Sequence, residues 1–150
     1  MGKEYRAFRF RLYPDADQAV QMAKTFGCCR FLYNRMLEDK ICYYEETGKM
    51  LRNTPARYKG EYPWLKEVDS LALANVQRDL EAAYRKFFRE PSVGFPRFRS
   101  KHHSRASYTT NLVNGNICLV GRRLKLPKMR PVRIIVHREI PEEARLKSVT

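Results

Sequence analysis

The alternation of apolar and polar positions near the start of the chain predicts a β-strand. Over residues 4–13, Phe8, Phe10 and Leu12 fall at every second position, with arginine or tyrosine beside them. A period of two is typical of a strand that has one face against a core and the other in water. Pro14 cannot donate to a strand ladder, so we expect the strand to end there.

A long helix is predicted directly after this strand. Asp15 is followed three residues later by Gln18, which is the pattern of a capping box. From there apolar residues recur at helical spacing to about residue 46, and Gly48 supplies a stop.

A second helix is predicted after a break. Residues 49–63 hold two prolines and a glycine, and their pattern indicates a loop. Asp69 can then cap a helix that runs through about Arg89. This helix has an apolar stripe that we expect to be a packing face, made of Leu73, Val76, Leu80, Ala83 and Phe87.

Beyond Pro91 the chain consists of short pieces with strand character, separated by turn residues. The predicted strands are 106–112, 116–120, 123–126, 131–137 and 146–150. Short strands between turn signals suggest a small barrel or sandwich. Because strand 4–13 is separated from the others by the helices, we expect an α+β fold. It would be a small β-barrel interrupted after its first strand by a helical insertion at about residues 15–90.

The charge of the chain is unbalanced, and the imbalance is local. The 150 residues carry 30 Lys and Arg against 16 Asp and Glu, a net charge of +14. Residues 91–138 hold 11 of the basic residues and no acid. Neutralising phosphates releases condensed counterions, so this stretch favours a nucleic acid partner ahead of an anionic membrane surface. The alternative is a solvated basic face, although such faces normally mix both signs.

Other classes of protein find little support in the sequence. No run of about 18 apolar residues occurs, so we expect no membrane-spanning helix. The first residues have no apolar region, so we expect no secretory signal and a cytoplasmic, nucleoid-associated protein. The cysteines form no Cys-x-x-Cys pair, which favours reduced, half-buried thiols over a zinc site. Neither converging carboxylates nor a nucleophile beside a base is visible, so no catalytic site is expected in these residues.

Aromatic and basic residues alternate in Gly94–Lys101, a pattern typical of surfaces that bind unpaired nucleic acid. The two phenylalanines there can instead be core residues that hold the loop. In Ser104–Asn111, hydroxyl and amide groups can donate to phosphates or read base edges, or can form a polar edge strand. The second helix can enter a DNA groove from its N-terminal end. These patterns, together with the basic stretch over 91–138, predict contacts to nucleic acid from Arg78, Arg97, Arg99, Lys101, Arg105, Tyr108, Thr110, Arg123, Lys125 and Lys128.

Several blocks of the sequence, taken in order, resemble the TnpB (OrfB) proteins of insertion sequences. This family was long labelled as accessory transposases and is related to the compact type V CRISPR effectors. The resemblance covers nearly the whole chain. The blocks are Phe10–Pro14, Phe26–Asn34, Tyr62–Ser70, Phe87-Phe88, Gly94–Phe98, Ser107–Asn111, Leu124–Lys128 and Lys147–Thr150.

The resemblance implies an RNA-guided DNA-binding module. Family members have a wedge β-barrel with a helical recognition lobe inserted after its first strand. This implies a wedge lobe over 1–14 and 91–150 and a recognition lobe over 15–90. The implied partners are a guide RNA and double-stranded DNA beside the target, where a short motif is read by protein. The positions implied to contact that motif are Asn53, Ser70, Leu71, Ala74, Val113 and Asn114.

The resemblance also implies parts that this sequence lacks. Ala74 stands where a longer amide side chain can read a base. In the family a RuvC-like nuclease domain, with a metal-binding acidic triad and a zinc ribbon, follows the matched region. We therefore expect this chain to be the amino-terminal part of such a protein. No cofactor is expected in it, and Mg and Zn are expected only in the missing carboxy-terminal part.

Three other functions stay open at this point. The chain can be a free-standing DNA-binding regulator that acts as a dimer without RNA. It can be an interaction remnant that competes for the RNA or partner surface of a full-length relative. An enzyme that acts alone is the most distant alternative.

Overall fold

The computed structural model describes residues 2–150. It is an α+β fold in which all the helices longer than one turn lie between the first and second strands of the chain. Short 3₁₀ helices occupy Pro63–Glu67 and Pro91–Val93. The helices are α1 (Ala16–Thr47), α2 (Pro55–Glu61) and α3 (Ser70–Arg89), and the strands are β1 (Arg11–Tyr13), β2 (Thr110–Asn111), β3 (Cys118–Val120), β4 (Arg123–Lys125), β5 (Val132–Ile135) and β6 (Ser148–Val149).

The predicted cap of the first helix is present in full. The Asp15 carboxylate accepts a hydrogen bond from the backbone N–H of Gln18 at 2.8 Å, and Gln18 Oε1 accepts one from the backbone N–H of Asp15 at 2.9 Å. Two donors that a helix start leaves free are thereby satisfied. At the other end Gly48 has a φ of 69°, the left-handed conformation that glycine adopts without steric cost. The first predicted helix is confirmed.

The predicted loop over residues 49–63 is wrong in part, because α2 lies inside it. Pro55 is at the start of α2, where its missing N–H removes no helical hydrogen bond. Tyr58 of α2 is fully buried, and its hydroxyl donates to the Asp39 carboxylate at 2.6 Å. This contact with α1 holds a short helix in a segment whose proline and glycine residues indicate a loop.

Helices α1 and α3 enclose the larger of two hydrophobic cores. Helix α3 begins where predicted, and Asp69 accepts a hydrogen bond from the backbone N–H of Leu71 at 3.0 Å. The apolar stripe of α3 packs inward over most of its length, although Ala83 and Phe87 are only half-buried. The residues buried in this core include Leu32, Met36 and Leu37 of α1 and Leu73, Val76 and Leu80 of α3.

The four strands β1, β5, β4 and β3 form an open antiparallel sheet in that order. The first strand of the chain thus pairs with β5 across the helical insertion, with Leu12 opposite Ile134. The inner face of this sheet covers the second core, which is made of Ile117, Leu124, Leu126, Val132 and Ile134. Strands β2 and β6 pair in a separate two-stranded sheet.

The predicted closed barrel does not form. In the part of the chain that the structure describes, β1 and β3 are the edges of an open sheet and do not pair with each other. The strands are only two to four residues long, which is too short for the tilt and stagger that closure requires. The predicted strand over 4–13 is likewise reduced to Arg11–Tyr13, because only these residues find partners on β5. The other predicted strands are present but shorter than predicted.

Polar contacts at the start of α1 join the helices to the four-stranded sheet. Gln18 is buried, and its Nε2 donates to the carbonyls of Arg130 and Pro131, both at 3.0 Å. The predicted boundaries of the two lobes stay a prediction. Tyr108, which the prediction assigns to the wedge lobe, packs against the helical core.

Candidate nucleic-acid interface

The outer face of the four-stranded sheet is basic. Side chains alternate between the two faces of a strand, so the neighbours of the buried Leu124, Val132 and Ile134 point outward. The cross-strand register then defines the outer face as Arg11, Tyr13, Cys118, Val120, Arg123, Lys125, Arg133 and Ile135. Four of these side chains are cations and none is acidic.

The arrangement of the cations on the outer face destabilises the sheet. Arg123 lies directly opposite Arg133 on the neighbouring strand, and like charges in that position repel. Within residues 2–150, the cations of the outer face have no carboxylate partner within 4.0 Å. An anion such as a phosphate that binds between the guanidinium groups relieves this repulsion and so stabilises the surface.

An exposed tyrosine stands among these cations. The Tyr13 ring is 43% exposed, and the guanidinium groups of Arg11 and Arg133 each lie 5.7 Å from its centroid. These cation–π contacts restrain the ring and leave part of its surface free to stack on a base. Similar pairs flank the sheet, where Arg138 lies 4.9 Å from the Phe8 ring and Lys147 lies 4.2 Å from the Tyr5 ring.

A second surface, here named the α3–turn surface, joins the start of α3 to the turn between β2 and β3. Ser70 is exposed and Leu71 is partly exposed in the first turn of α3, and Ala74 is partly exposed on the next turn. Val113 and Asn114 are exposed on a tight turn in which Asn114 has a φ of 52°. The structure therefore brings five of the six positions implied by the resemblance onto neighbouring elements.

Three asparagines hold the α3–turn surface together. Asn75 Nδ2 donates to the carbonyls of Leu71 and Thr109 and to Asn111 Oδ1, at 2.6 to 2.9 Å. The Asn116 side chain donates to the Asn111 carbonyl at 2.8 Å and accepts from the backbone N–H of Val113 at 2.7 Å. The turn is thus fixed relative to the helix by side-chain amides.

Arginines continue from this surface along α3. At 100° per residue, positions 74, 78, 82, 85 and 89 fall on one stripe of the helix. Arg78, Arg85 and Arg89 are exposed there, with only alanine between them. At about 1.5 Å per residue, the first and last of these arginines are roughly 16 Å apart along the axis.

The predicted basic loop at Gly94–Lys101 is divided between free and anchored cations. Arg97 and Lys101 are exposed. Arg99 instead stacks its guanidinium over the Tyr33 ring at 3.8 Å and lies 3.9 Å from the Asp79 carboxylate. The Asn34 side chain also exchanges two 2.7 Å hydrogen bonds with the Arg99 backbone, so Arg99 positions the loop against α1.

The remaining predicted residues differ in their access to a partner. Arg105 and Lys128 are exposed. Asn53 is buried and donates to the Met36 carbonyl and the Tyr58 hydroxyl, and Thr110 is fully buried. Tyr108 is half-buried, and burial raises the pKa of its hydroxyl to about 12. The predicted contacts of these three residues stay predictions and would require their side chains to leave the core.

The part of the candidate interface that lies on β1 and β5 is not predicted from the sequence. The alternation of residues 4–13 was used only to predict a buried face, although the residues of the opposite face are arginine and tyrosine. The predicted contacts therefore do not include Arg11 and Tyr13, and they also lack Arg133, Asn75 and Asn116. The arginines on the polar face of strand 4–13 are the signal for Arg11 and Tyr13, whereas Arg133 lies between the apolar Val132 and Ile134 of the predicted strand 131–137.

The cysteines and acids that the structure describes do not assemble into a metal centre. Cys28 and Cys29 are buried, and burial raises the pKa of the Cys29 thiol to about 12, which disfavours the thiolate that binds metal. Among residues 2–150, no group of three or more His, Cys, Asp or Glu side chains is placed to hold a metal ion. No helix in the same range is long and apolar enough to cross a membrane.

A family model and three curated relatives match this chain. The model HTH_OrfB_IS605, described as a helix-turn-helix domain, matches residues 1–49. A Streptomyces pristinaespiralis protein named as an RNA-guided DNA endonuclease is 33% identical over the whole chain, which spans 39% of that protein. The Escherichia coli (strain K12) protein InsQ, also named as an RNA-guided DNA endonuclease, is 34% identical over 66% of this chain and 26% of its own length. The Salmonella dublin virulence protein VsdF is 30% identical over 65% of this chain and 94% of its own length.

These matches support a DNA-binding role, but the geometry that the family model's name describes is not found in the matched segment. Residues 16–47 form one uninterrupted helix, and the next helix begins at Pro55, outside the match. The matched segment therefore contributes no recognition helix docked after a tight turn to the candidate interface. The chain spans well under half the length of the two relatives named as endonucleases.

Proposed function

Because this chain belongs to the OrfB (TnpB) family of insertion-sequence proteins, we propose that it forms the nucleic-acid-binding part of an RNA-guided DNA endonuclease. In this proposal the outer face of the sheet binds the guide RNA, and the α3–turn surface binds the DNA duplex beside the target. The two open sheets form the wedge lobe, residues 15–90 form the recognition lobe, and base pairing with the guide reads the remaining sequence.

The observation that carries the proposal is the unpaired charge of the outer face. Arg123 opposite Arg133 weakens the sheet through repulsion between the two guanidinium groups. Phosphates relieve that repulsion, because they bridge adjacent guanidinium groups and release counterions when bound. The partly exposed Tyr13 among the same cations adds a ring that can stack on a base, which favours RNA with unpaired segments over a closed duplex.

The α3–turn surface suits a duplex for different reasons. It presents the hydroxyl of Ser70 at the start of α3 together with the side-chain amide of Asn114, and both groups can donate to phosphates or read base edges. The small Ala74 permits close approach, and the arginine stripe of α3 continues from it. None of Ser70, Leu71, Ala74 and Asn114 carries an aromatic ring, so this surface offers hydrogen bonds and apolar contacts to a groove rather than a stacking platform.

Binding titrations at several salt concentrations test the proposal. The probes are a labelled RNA hairpin with an unpaired tail and a DNA duplex of about 20 base pairs, at salt between about 50 and 200 mM. The double variant Arg123→Gln/Arg133→Gln should weaken RNA binding and reduce the salt slope by roughly 1.4 to 1.8, since each lost phosphate contact removes about 0.7 to 0.9.

A charge-matched control separates this effect from net charge. Arg52→Gln/Arg57→Gln removes two exposed cations near α2, away from the outer face. The control should leave the RNA affinity close to that of the wild type. Equal effects of the two double variants, or binding that does not respond to salt, would show that the outer face is not the RNA site.

A second candidate function is favoured by one relative. VsdF matches over 94% of its own length, so a family member not much longer than the matched segment exists. A free-standing DNA-binding protein that acts without RNA is consistent with that length. A footprint on DNA by RNA-free protein that RNA does not displace would favour this candidate.

A further inference from the structure

Four aromatic rings meet at the end of α3. Tyr84, Phe87, Phe88 and Phe95 lie with ring centroids 5.4 to 6.0 Å apart, and we name them the aromatic cluster. Tyr84 is buried and anchors the cluster in the helical core, but Phe88 is 61% exposed and Phe95 is 44% exposed. Exposed rings held in a contiguous group are typical of a binding site rather than of scattered surface residues.

Cations border the exposed side of the cluster. A concavity of about 720 Å³ beside Phe88 is lined by Ala82, Arg85, Lys86, Phe88 and Arg89. Three of these five residues are cations and none is acidic. An apolar protein surface would bind poorly here, because docking would remove water from three charged side chains and give them no opposite charge in return. A nucleic acid strand has phosphates that can pair with the cations and bases that can stack on the ring.

The orientation of the rings favours stacking on Phe88. Phe95 stands almost perpendicular to Tyr84 and Phe87, at 89° and 83°, and so is held from two sides by ring edges. Phe88 contacts Tyr84 and Phe87 but keeps most of its surface free. Its position is restrained before a ligand arrives, which lowers the entropy lost on binding. A base inside a duplex is already stacked on both sides, so such a ring selects unpaired bases.

The cluster continues the α3–turn surface. Arg78, Arg85 and Arg89 lead along α3 from Ala74 toward Phe88. The 14 residues from Ala74 to Phe88 span roughly 21 Å, or about six nucleotides at 3.4 Å each. We therefore propose that the aromatic cluster binds unpaired bases of single-stranded DNA, at the point where a strand leaves the duplex held at the start of α3. This inference rests on the proposed duplex contact.

Fluorescence anisotropy with the 150-residue chain tests it. The probes are an oligo(dT) of about 12 nucleotides, an oligo(rU) of equal length and a blunt DNA duplex. Phe88→Ala should raise the Kd for oligo(dT) at least about fivefold and leave the Kd for the duplex unchanged, since stacking on one base contributes about that much or more. Phe88→Leu, which keeps apolar bulk but has no ring, should behave like Phe88→Ala.

Tyr44→Ala is the matched control, because Tyr44 is 56% exposed on α1 and lies outside the cluster. It should leave all three affinities unchanged, and circular dichroism checks that each variant is folded. Equal losses for Phe88→Ala and Tyr44→Ala, or full binding by Phe88→Leu, would overturn the inference. If the Phe88-dependent site binds oligo(rU) more tightly than oligo(dT), the assignment of DNA is overturned and RNA is the occupant. If the wild type binds oligo(dT) but does not bind the duplex, the proposed duplex contact alone is overturned.

Discussion

Replacing Arg123 by Gln should make the protein more stable and bind RNA less well. Arg123 and Arg133 face each other on β4 and β5, and neither has a carboxylate partner within the described residues. Glutamine keeps two of the three methylene groups of the arginine stem and replaces the charged guanidinium group by a neutral amide. The change therefore acts mainly by removing the repulsion between the two guanidinium groups.

The size of the effect follows from Coulomb's law with screening. Two unit charges roughly 6 Å apart in a water-like dielectric repel by about 0.7 kcal/mol. With Debye lengths of about 30 Å at 10 mM salt and 3 Å at 1 M salt, this becomes about 0.6 and about 0.1 kcal/mol. For a chain of this size, the gain at low salt corresponds to a rise in Tm of about 1 to 2 °C.

Thermal unfolding at both salt concentrations measures this gain. Each variant is compared with the wild type at the same salt, because salt also changes the stability of the whole protein. Arg52→Gln serves as the control, since it removes one exposed cation that has no opposed neighbour on the sheet. A fall in Tm for Arg123→Gln at low salt, or an equal gain at 1 M salt, would contradict the reasoning.

Three further changes test other parts of the structure. Asn75→Ala should cost about 1 to 3 kcal/mol, because it leaves the Asn111 side chain without its partner, and it should weaken duplex binding; unchanged urea unfolding would contradict this. Asp15→Ala should cost about 0.5 to 2 kcal/mol in the same assay through loss of the helix cap, and a neutral result would contradict the capping box. Burial raises the pKa of Tyr58 and Tyr108 from 10 to about 12, so these groups stabilise the fold fully below pH 10 and lose that contribution as pH rises toward 12. Tyr108→Phe should flatten the decline in stability over this pH range, and an unchanged slope would contradict the assignment.

Local signals predicted the helices well. The caps at Asp15 and Asp69 depend on residues within one turn, and both helices begin where these residues indicate. Helix α2 was missed because proline and glycine also occur in loops, and only the burial of Tyr58 against α1 decides between the two. That contact joins residues 19 positions apart, which no local pattern reveals.

The positions of the strands were predicted from the sequence, but the open form of the sheet was not. The first strand lies where alternation predicts it, and the others lie within the segments of strand character between turn residues, because both signals are local. Whether β1 and β3 meet depends on how far each strand extends and on what covers its edges, and here they remain separate.

The candidate interface was predictable from charge more than from individual residues. The basic stretch over 91–138 includes Arg123, Lys125 and Arg133, which the sheet places together on one face. Arg99 looked the same in the sequence, but its contact with Tyr33 makes it an anchor of the loop. Thr110 is buried because β2 packs against α3, a long-range arrangement that its polar neighbours did not indicate.

Ultraviolet crosslinking of the chain to RNA, with mass spectrometry of the crosslinked peptides, tests the RNA contact most directly. The aromatic ring of Tyr13 and the cations around it favour RNA on the outer face of the sheet. We therefore expect crosslinks on peptides from β1 and β5, and their loss in the Arg123→Gln/Arg133→Gln variant. Crosslinks confined to α1 and α2, or unchanged in that variant, would contradict the assignment of RNA to this face.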